Sequence, residues 1–239
     1  MPRYTLALAL VVAVGVLATA CSTSSSGSGV VQAELTWHAG QNHSVELLPN
    51  LAHVFQIAGV TGKDISGVIV ALGPGSFNGL RVGVSAAKGL SLAWGVPLVG
   101  IGTLAVEAFP HAPRGLPVCA ISDAGRGEIA AALFQTRRGR WQQLAAERIT
   151  TVDELCEGVE RRTVFCGRMN EAIIAQIGEK LGEKAIVVSG SLALRRAGYL
   201  AELGWRRLES NDVDDAASLQ PIYLRRPHIT QAKPLYPRP

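Results

Sequence analysis

The stretch Gly67-Val68-Ile69-Val70-Ala71-Leu72-Gly73-Pro74-Gly75-Ser76-Phe77-Asn78-Gly79-Leu80-Arg81 changes character at one point. Its first six residues are apolar or glycine without a break, the pattern of a strand buried on both faces. A glycine-rich loop follows, and a helical pattern then runs to about Trp94. Gly95-Val96-Pro97 leads into a second apolar run over residues 98–101. Strand, glycine loop, helix and strand form one parallel βαβ unit. The fold class that follows is α/β, with mixed sheets flanked by helices.

The loop itself offers chemistry. Gly73, Gly75 and Gly79 bring backbone N–H groups to a helix start, where the helix dipole also attracts anions. With Ser76, Asn78 and Arg81 they make a candidate phosphate or interface loop. Two nucleotide signatures fail, however. Counted from Gly73, the sixth position of a Walker motif is Asn78, and Lys88 lies far downstream. The dinucleotide fingerprint fails because its third glycine comes one residue late. As a bare pattern, the loop is equally a tight turn with close backbone packing. Gly75 and Gly79 are expected to hold conformations that a Cβ would obstruct, with the helix starting near Leu80. Arg81 then opposes the helix dipole unless it meets an acidic or phosphate partner, which points to an interface contact.

Composition sets the bounds. The 239 residues are 48% hydrophobic, which supplies a sizeable core and excludes disorder as the main state. A net charge of +4 is mild, and the arginine pairs at 137–138, 161–162, 195–196, 206–207 and 225–226 are dispersed among acids. That pattern reads as solvated faces rather than a contiguous nucleic-acid footprint. Cys21, Cys119, Cys156 and Cys166 form no CxxC pair, so no zinc knuckle or thioredoxin motif is present. Cys119 and Cys166 lie in apolar runs as buried thiols. His38 and His43 are five apart in a polar turn, a spacing that does not share a helix face, and His53, His111 and His228 are isolated. No metal-ligand set follows, and no serine has a histidine and an acid nearby.

Residues 1–29 read two ways. A short polar start with Arg3, an apolar stretch from Leu6 to Ala20, Cys21 and a Ser/Gly tract have the layout of a secretory signal. Residues 17–21 imitate a lipoprotein processing site, although Ala18 stands where leucine is usual. The apolar run is short for a membrane helix. The rival reading is a central strand over residues 11–16, followed by a phosphate-facing turn over residues 20–24.

Outward from the loop, residues 30–37 suit a strand and His38 to Ser44 a turn. Val45, Leu47, Leu48, Leu51, Val54, Phe55 and Ala58 recur at helical spacing, with Asn42 or Ser44 as cap and Pro49 in the first turns. This helix has more apolar residues than one core face needs, as has the helix over residues 81–94. Leu48, Leu51 and Arg81 are therefore the candidate partner-binding residues. Thr103 is the expected cap of a further helix through Phe109. Strands are expected over residues 118–122, 129–135, 141–148, 163–166 and 185–189. Helices are expected over 169–181 and 192–203, with a short one opened by the capping box Thr151-Val152-Asp153-Glu154. The proline cluster near residues 108–116 divides the chain into a first subdomain, 30–110, and a second, 116–212. An extended tail, 213–239, follows.

The full string from Leu72 to Gly83, with Ala86-Ala87-Lys88-Gly89-Leu90 after it, resembles the signature of the TsaB (YeaZ) family. Asn78 stands where the family usually has threonine. Three further stretches are similar in order and spacing: residues 41–49, Asp123-Ala124-Gly125-Arg126-Gly127-Glu128, and Pro221-Ile222-Tyr223-Leu224-Arg225. The resemblance covers residues 30–230 and implies a two-domain fold of the actin/Hsp70/sugar-kinase type. It implies a non-catalytic subunit in the cytoplasm that pairs with the transferase TsaD, with the ATPase TsaE joining and tRNA met only through the complex. It further implies a homodimer when TsaD is absent, no cofactor required by the chain itself, and ATP or ADP as candidates at the subunit interface. The family begins with a strand ending in Asp-Thr-Ser-Thr and then a two-strand hairpin. Here Ala20-Cys21-Ser22-Thr23 lacks the acid, and the segment before Gln32 looks short for the hairpin. The alternatives are an exported or lipid-anchored binding protein on this fold, and a phosphate-binding enzyme of the sugar-kinase or acyl-phosphate superfamily.

Overall fold

The computed structural model describes residues 6–11, 16–23, 29–37 and 42–225. The first sheet contains β1 (Leu6–Val11), β2 (Val16–Thr23), β3 (Gly29–Thr36), β4 (Ile65–Ala71) and β5 (Leu98–Ile101), in the order β3-β2-β1-β4-β5. β4 runs parallel to both neighbours, β1 and β5, while β1, β2 and β3 form an antiparallel meander. The hairpin that looked too short is thus complete. Residues 20–23 are not a turn beside a central strand. They end β2, with Cys21 opposite Val31 and Ser22 opposite Val30, and Ser24 lies outside the described residues. The expected strand over 11–16 is instead the join of two strands, Val11 facing Val16, with 12–15 outside the described residues. Continuous apolar character alone does not mark where a strand reverses.

Strand alternation sorts the two faces of β4. Val68 and Val70 pack with Leu47, Leu51 and Val54 of α1 (His43–Ala58) and Val84 and Ala87 of α2 (Phe77–Trp94). Asn42 holds the cap position of α1 without a side-chain bond; instead Glu46 in the first turn accepts a 2.9 Å hydrogen bond from the Trp37 indole. Pro49 sits in the second turn of α1, exposed to water. His43, read as turn polarity, is the buried first residue of α1, and His38 lies outside the described residues.

Ile69 and Ala71, on the other face, pack against a helix from the far end of the chain, described below. α3 (Thr103–Ala108) and a 3-10 turn (Phe109–Arg114) lead to the second sheet. It holds β6 (Val118–Gly125), β7 (Glu128–Arg137), β8 (Arg140–Thr150), β9 (Thr163–Arg168) and β10 (Ala185–Val187), in the order β10-β9-β6-β7-β8. Leu104 and Ala108 of α3 cover one face; α4 (Val152–Glu157) and α5 (Glu171–Leu181) cover the other. Thr151 caps α4 by accepting from the Glu154 N–H at 3.2 Å. Cys119, Cys156 and Cys166 are free and buried, and burial pushes the Cys119 thiol up to about 12.

The last helix is displaced from its expected 192–203. A 3-10 turn (Gly190–Ala193) comes first, and α6 spans Ala197–Glu209. Although it falls within residues 116–212, its buried face (Ala197, Leu200, Ala201, Trp205) packs on Ile69 and Val99 of the first sheet. Gly204 makes this possible: a Cβ there would run into the Ile69 side chain. The two sheets are also joined by a buried pair between Glu107 of α3 and Arg195 just before α6. Arg196 meets Glu34, Arg206 meets Glu202, and Arg207 holds Asp212 and Asp214. Arg196 and Arg206 are exposed, as solvated charge requires, but Arg195 is buried against Glu107, so the 195–196 pair is not the solvated face expected of it.

One expected surface residue is misplaced. Leu51 is 5% exposed and belongs to the core, whereas Leu48, one turn away, is 56% exposed. A residue three positions off along a helix turns by most of a right angle from the face it left. Leu51→Ala is expected to cost about 2–5 kcal/mol in denaturant unfolding. Leu48→Ala should stay within about 0.5 kcal/mol. Equal losses would show that the face assignment of α1 is wrong.

Candidate functional site

The loop after β4 is held by its first residue. Gly73 takes φ 111°, a backbone that favours glycine, and a Cβ there would lie 2.9 Å from Leu80 Cδ1 and 3.1 Å from the Ile222 carbonyl. Its N–H donates to Thr103 Oγ1 at 3.1 Å, and its carbonyl accepts from the Thr103 N–H at 2.7 Å. Thr103 is therefore not a helix cap. It ties the start of α3 to the glycine loop, and Gly102 holds the cap position. Gly75 and Gly79 do not carry the expected special backbone. Neither is among the positive-φ glycines, and Gly79 is an ordinary buried residue of α2.

α2 begins at Phe77, three residues before the expected start, because Ser76 caps it by accepting from the Gly79 N–H at 3.4 Å. Arg81 then lies in the second turn, where the dipole argument weakens. Its guanidinium sits 5.3 Å from the centroid of the Phe77 ring, and Phe77 packs on Tyr223 at 5.3 Å. A cation over an aromatic face is favourable. Asn78 is exposed.

A cleft of ≈ 990 Å³ opens beside this loop. Pro74 to Phe77 form one wall, the carboxyl ends of β6 and β9 the other, and residues 222–225 run along it. On the far wall, Asp123 accepts from the Gly125 N–H at 2.8 Å and from Asn170 Nδ2 at 3.0 Å. Asn170 caps α5 through the Ile173 N–H at 2.9 Å. The tail segment spans the two walls. The Ile222 N–H donates to the Leu72 carbonyl at 2.8 Å, and Arg225 pairs with Glu128 and donates to the Ala124 carbonyl at 3.2 Å. Upstream, Asp214 Oδ2 accepts from the Gly100 N–H at 2.8 Å. The described part of the extended tail is thus a strap; residues 226–239 lie outside the described residues.

The structure places Gly75 and Ser76 in the cleft lining, while Gly73 is buried just before them and Asn78, Gly79 and Arg81 lie in α2 outside the lining. Leu48 is on α1, away from the cleft lining, and Leu51 is in the core. Thr103, Asp123, Asn170, Tyr223 and Arg225 were not singled out as site residues. Asp123, Tyr223 and Arg225 do fall within the stretches that carried the resemblance. Nothing in the spacing of a linear chain brings residues 73, 123 and 223 together. Among the described residues, no cluster of three His, Cys, Asp or Glu side chains is placed to hold a metal ion.

Two sheets of similar build, separated by a cleft with a glycine loop at the carboxyl end of a parallel strand, define the actin/Hsp70/sugar-kinase class of two-domain proteins. Two solved structures share the fold at 20% identity. One is described as an uncharacterized protein with similarity to peptidase YeaZ from Pseudomonas aeruginosa (TM-score 0.75, covering 94% of this chain and 100% of that one). The other is YeaZ from the same organism (TM-score 0.74, covering 92% and 100%). Residues 22–229 match the family model "TsaD: tRNA N6-adenosine threonylcarbamoyltransferase", and the chain belongs to that family. Within it the chain falls with the TsaB (YeaZ) proteins. It is 28% identical to the tRNA threonylcarbamoyladenosine biosynthesis protein TsaB of Bacillus subtilis over 82% of this chain and 85% of that one. With the TsaB of Escherichia coli it shares 29% identity over 77% and 81%. A tRNA N6-adenosine threonylcarbamoyltransferase of Anaeromyxobacter dehalogenans is 36% identical, over 36% of this chain and 27% of that protein.

The loop geometry assigns different weights to its glycines. Gly73→Ala should destabilise by more than about 1 kcal/mol, because it forces a Cβ into a left-handed backbone facing Leu80 and Ile222. Gly75→Ala, exposed and without positive φ, should stay within about 0.5 kcal/mol. Thermal unfolding of both variants checks the order, and a reversed order would refute the role given to Gly73.

Proposed function

We propose that the chain is a non-catalytic subunit of the machinery that makes threonylcarbamoyladenosine in tRNA, pairing with a TsaD-type transferase subunit. The observation that carries this reading is the state of the cleft. Asp123 is the only acidic residue among the described residues that line it, and each of its oxygens already accepts one hydrogen bond, from the Gly125 N–H and from Asn170 Nδ2. A general base needs a carboxylate within reach of a substrate proton and free to take it. Such a wall supports a binding and positioning role, and it disfavours the phosphate-transferring enzyme.

The partner surface is proposed on the outer side of α1 and α2. Val45, Leu48 and Ile57 of α1 and Leu92 of α2 are large apolar side chains left in water, Val45 at 72% and Leu92 at 84% exposure. Val45 and Leu48, three residues apart, share one flank of α1, whereas Ile57 lies on the other; contiguous exposed apolar side chains of the first kind mark an interaction site. Arg81, also exposed on α2, is proposed to contact the partner. The same surface would pair two copies of the chain when the transferase is absent. A TsaE-type ATPase joins the assembly, and tRNA is met through the transferase. Any ATP or ADP would be held at the subunit interface, with the Ser76-capped start of α2 turned to phosphate.

A cytoplasmic location agrees with tRNA as substrate. The position of β1 supports it: processing before Cys21 would remove β1 and most of β2, leaving β4 without one of its two partners. No described helix is long and apolar enough to cross a membrane.

Two measurements test the reading. The pure chain, given ATP, threonine, bicarbonate and tRNA, should form no modified adenosine; turnover removed by Ser76→Ala would overturn the non-catalytic assignment. Leu48→Glu and Arg81→Ala should each remain folded by circular dichroism and retain at least roughly tenfold less transferase in co-purification. Full retention by both folded variants would place the partner elsewhere.

A further inference from the structure

A second pocket, of ≈ 240 Å³, opens in the second sheet and shares no lining residue with the cleft. It exists because α4 is short. The helix ends at Glu157, and the chain from Gly158 to Arg161 forms one wall of the pocket without helical side chains to fill it. The strand residues beneath are small, Ala131 and Ala145, and β7 and β8 lose regular register on either side of Leu133. Side chains of the size of leucine would fill the space; alanines leave it open.

The lining divides into a neutral floor and a charged rim. Cys119, Ala131, Leu133, Ala145, Leu155 and Val159 supply apolar surface. The Cys119 thiol is fully protonated near neutrality, since burial pushes it up to about 12. The one hydroxyl, of Thr163, already donates to the Arg161 carbonyl at 3.0 Å. At the rim stand Arg148, Arg161 and Glu160, which leaves one positive charge in excess. Arg161 donates to Gln135 Oε1 at 3.2 Å. Arg148 is exposed, and its charge reaches the Cys119 thiol.

We infer that this pocket binds a small monocarboxylate with an apolar body, its chain on the alanine floor and its carboxylate on Arg148. Size, polarity and charge select that class. At ~30 Å³ per water the space equals about eight water molecules, so a ligand of roughly eight heavy atoms fits. Apart from the weak S–H donor of Cys119, the floor has no free side-chain donor to solvate a phosphate or a sugar, and would leave most of their polar groups unpaired. A guanidinium at the mouth matches a carboxylate in charge and in planar geometry. The site is separate from the proposed transferase contact, so its ligand would act as an effector and not as a substrate.

Hexanoate is the probe, with hexanamide as its uncharged match. Titrated into the ¹⁵N-labelled full chain, hexanoate should give saturable shifts in the amides of residues 131–133, 145–148 and 158–161. Hexanamide should bind roughly tenfold more weakly, for want of the charge-assisted contact. Arg148→Gln should reduce hexanoate to the hexanamide level at an unchanged melting temperature. Ala145→Phe, which fills the space, should abolish both responses. Should Ala145→Phe lower stability, the exposed Arg148→Gln variant decides alone. No saturable shift at millimolar hexanoate, an equal response to hexanamide, or full hexanoate binding by Arg148→Gln would each overturn the inference.

Discussion

At the carboxyl end of β4, Leu72 and Gly73 have all of their backbone hydrogen-bonding groups committed to distant segments. The Leu72 N–H donates to the Ile101 carbonyl at 2.9 Å, and its carbonyl accepts from Ile222. Gly73 exchanges both of its groups with Thr103. A strand end normally leaves such groups to water, and burying them unpaired would cost more than any one bond returns. Here the pairing makes a junction. β5 and α3 arrive on one side, the carboxyl-terminal strap crosses on the other, and α2 departs from the middle. The position of the cleft follows, because its near wall is the loop that this junction holds.

The second sheet is kept in place by fewer and more specific ties. α6 returns to the first sheet through Gly204 on Ile69, while Arg195, immediately before it, reaches Glu107 beneath the second. That pair is almost wholly buried, and Glu107 Oε2 and Arg195 Nη1 have no hydrogen-bond partner. Such a pair returns little net stability after desolvation, but it defines where the chain passes from one sheet to the other. Arg225, pairing with Glu128 and the Ala124 carbonyl, does the same at the mouth of the cleft. The relative placement of the two walls thus rests on α3, α6 and the strap together.

The elements with strong periodicity were legible from residue order. β4, α2, β5, the β7–β8 hairpin, and the Thr151 N-cap of α4 are where apolar spacing and turn chemistry put them, within a few residues, although Glu154 accepts from Thr150 Oγ1 and does not close the expected capping box. The misplacements have physical causes. Leu51 and Leu48 both fit a helical repeat, and only packing against Val54 and β4 distinguishes the inward one. Residues 11–16 contain no polar side chain, so nothing polar in the sequence separates the end of β1 from the start of β2. The helix expected over 192–203 starts later, because a 3-10 turn and the buried Arg195 take up the intervening residues.

For the site, residue order alone showed a glycine loop entering a helix, since glycine and small polar residues at a strand end have few other uses. It also showed that a Walker motif and a dinucleotide fingerprint are missing. Which glycine bears the unusual backbone was decided by tertiary structure. Gly73 needs φ 111° because Leu80 and the Ile222 carbonyl approach it, and those contacts come from a later helix turn and from the strap. The commitment of Asp123 to Asn170 was likewise decided only when β6 and β9 became neighbours in the sheet. Spacing along a chain sets what a segment forms locally. Which groups remain free to act depends on partners that folding brings from far away.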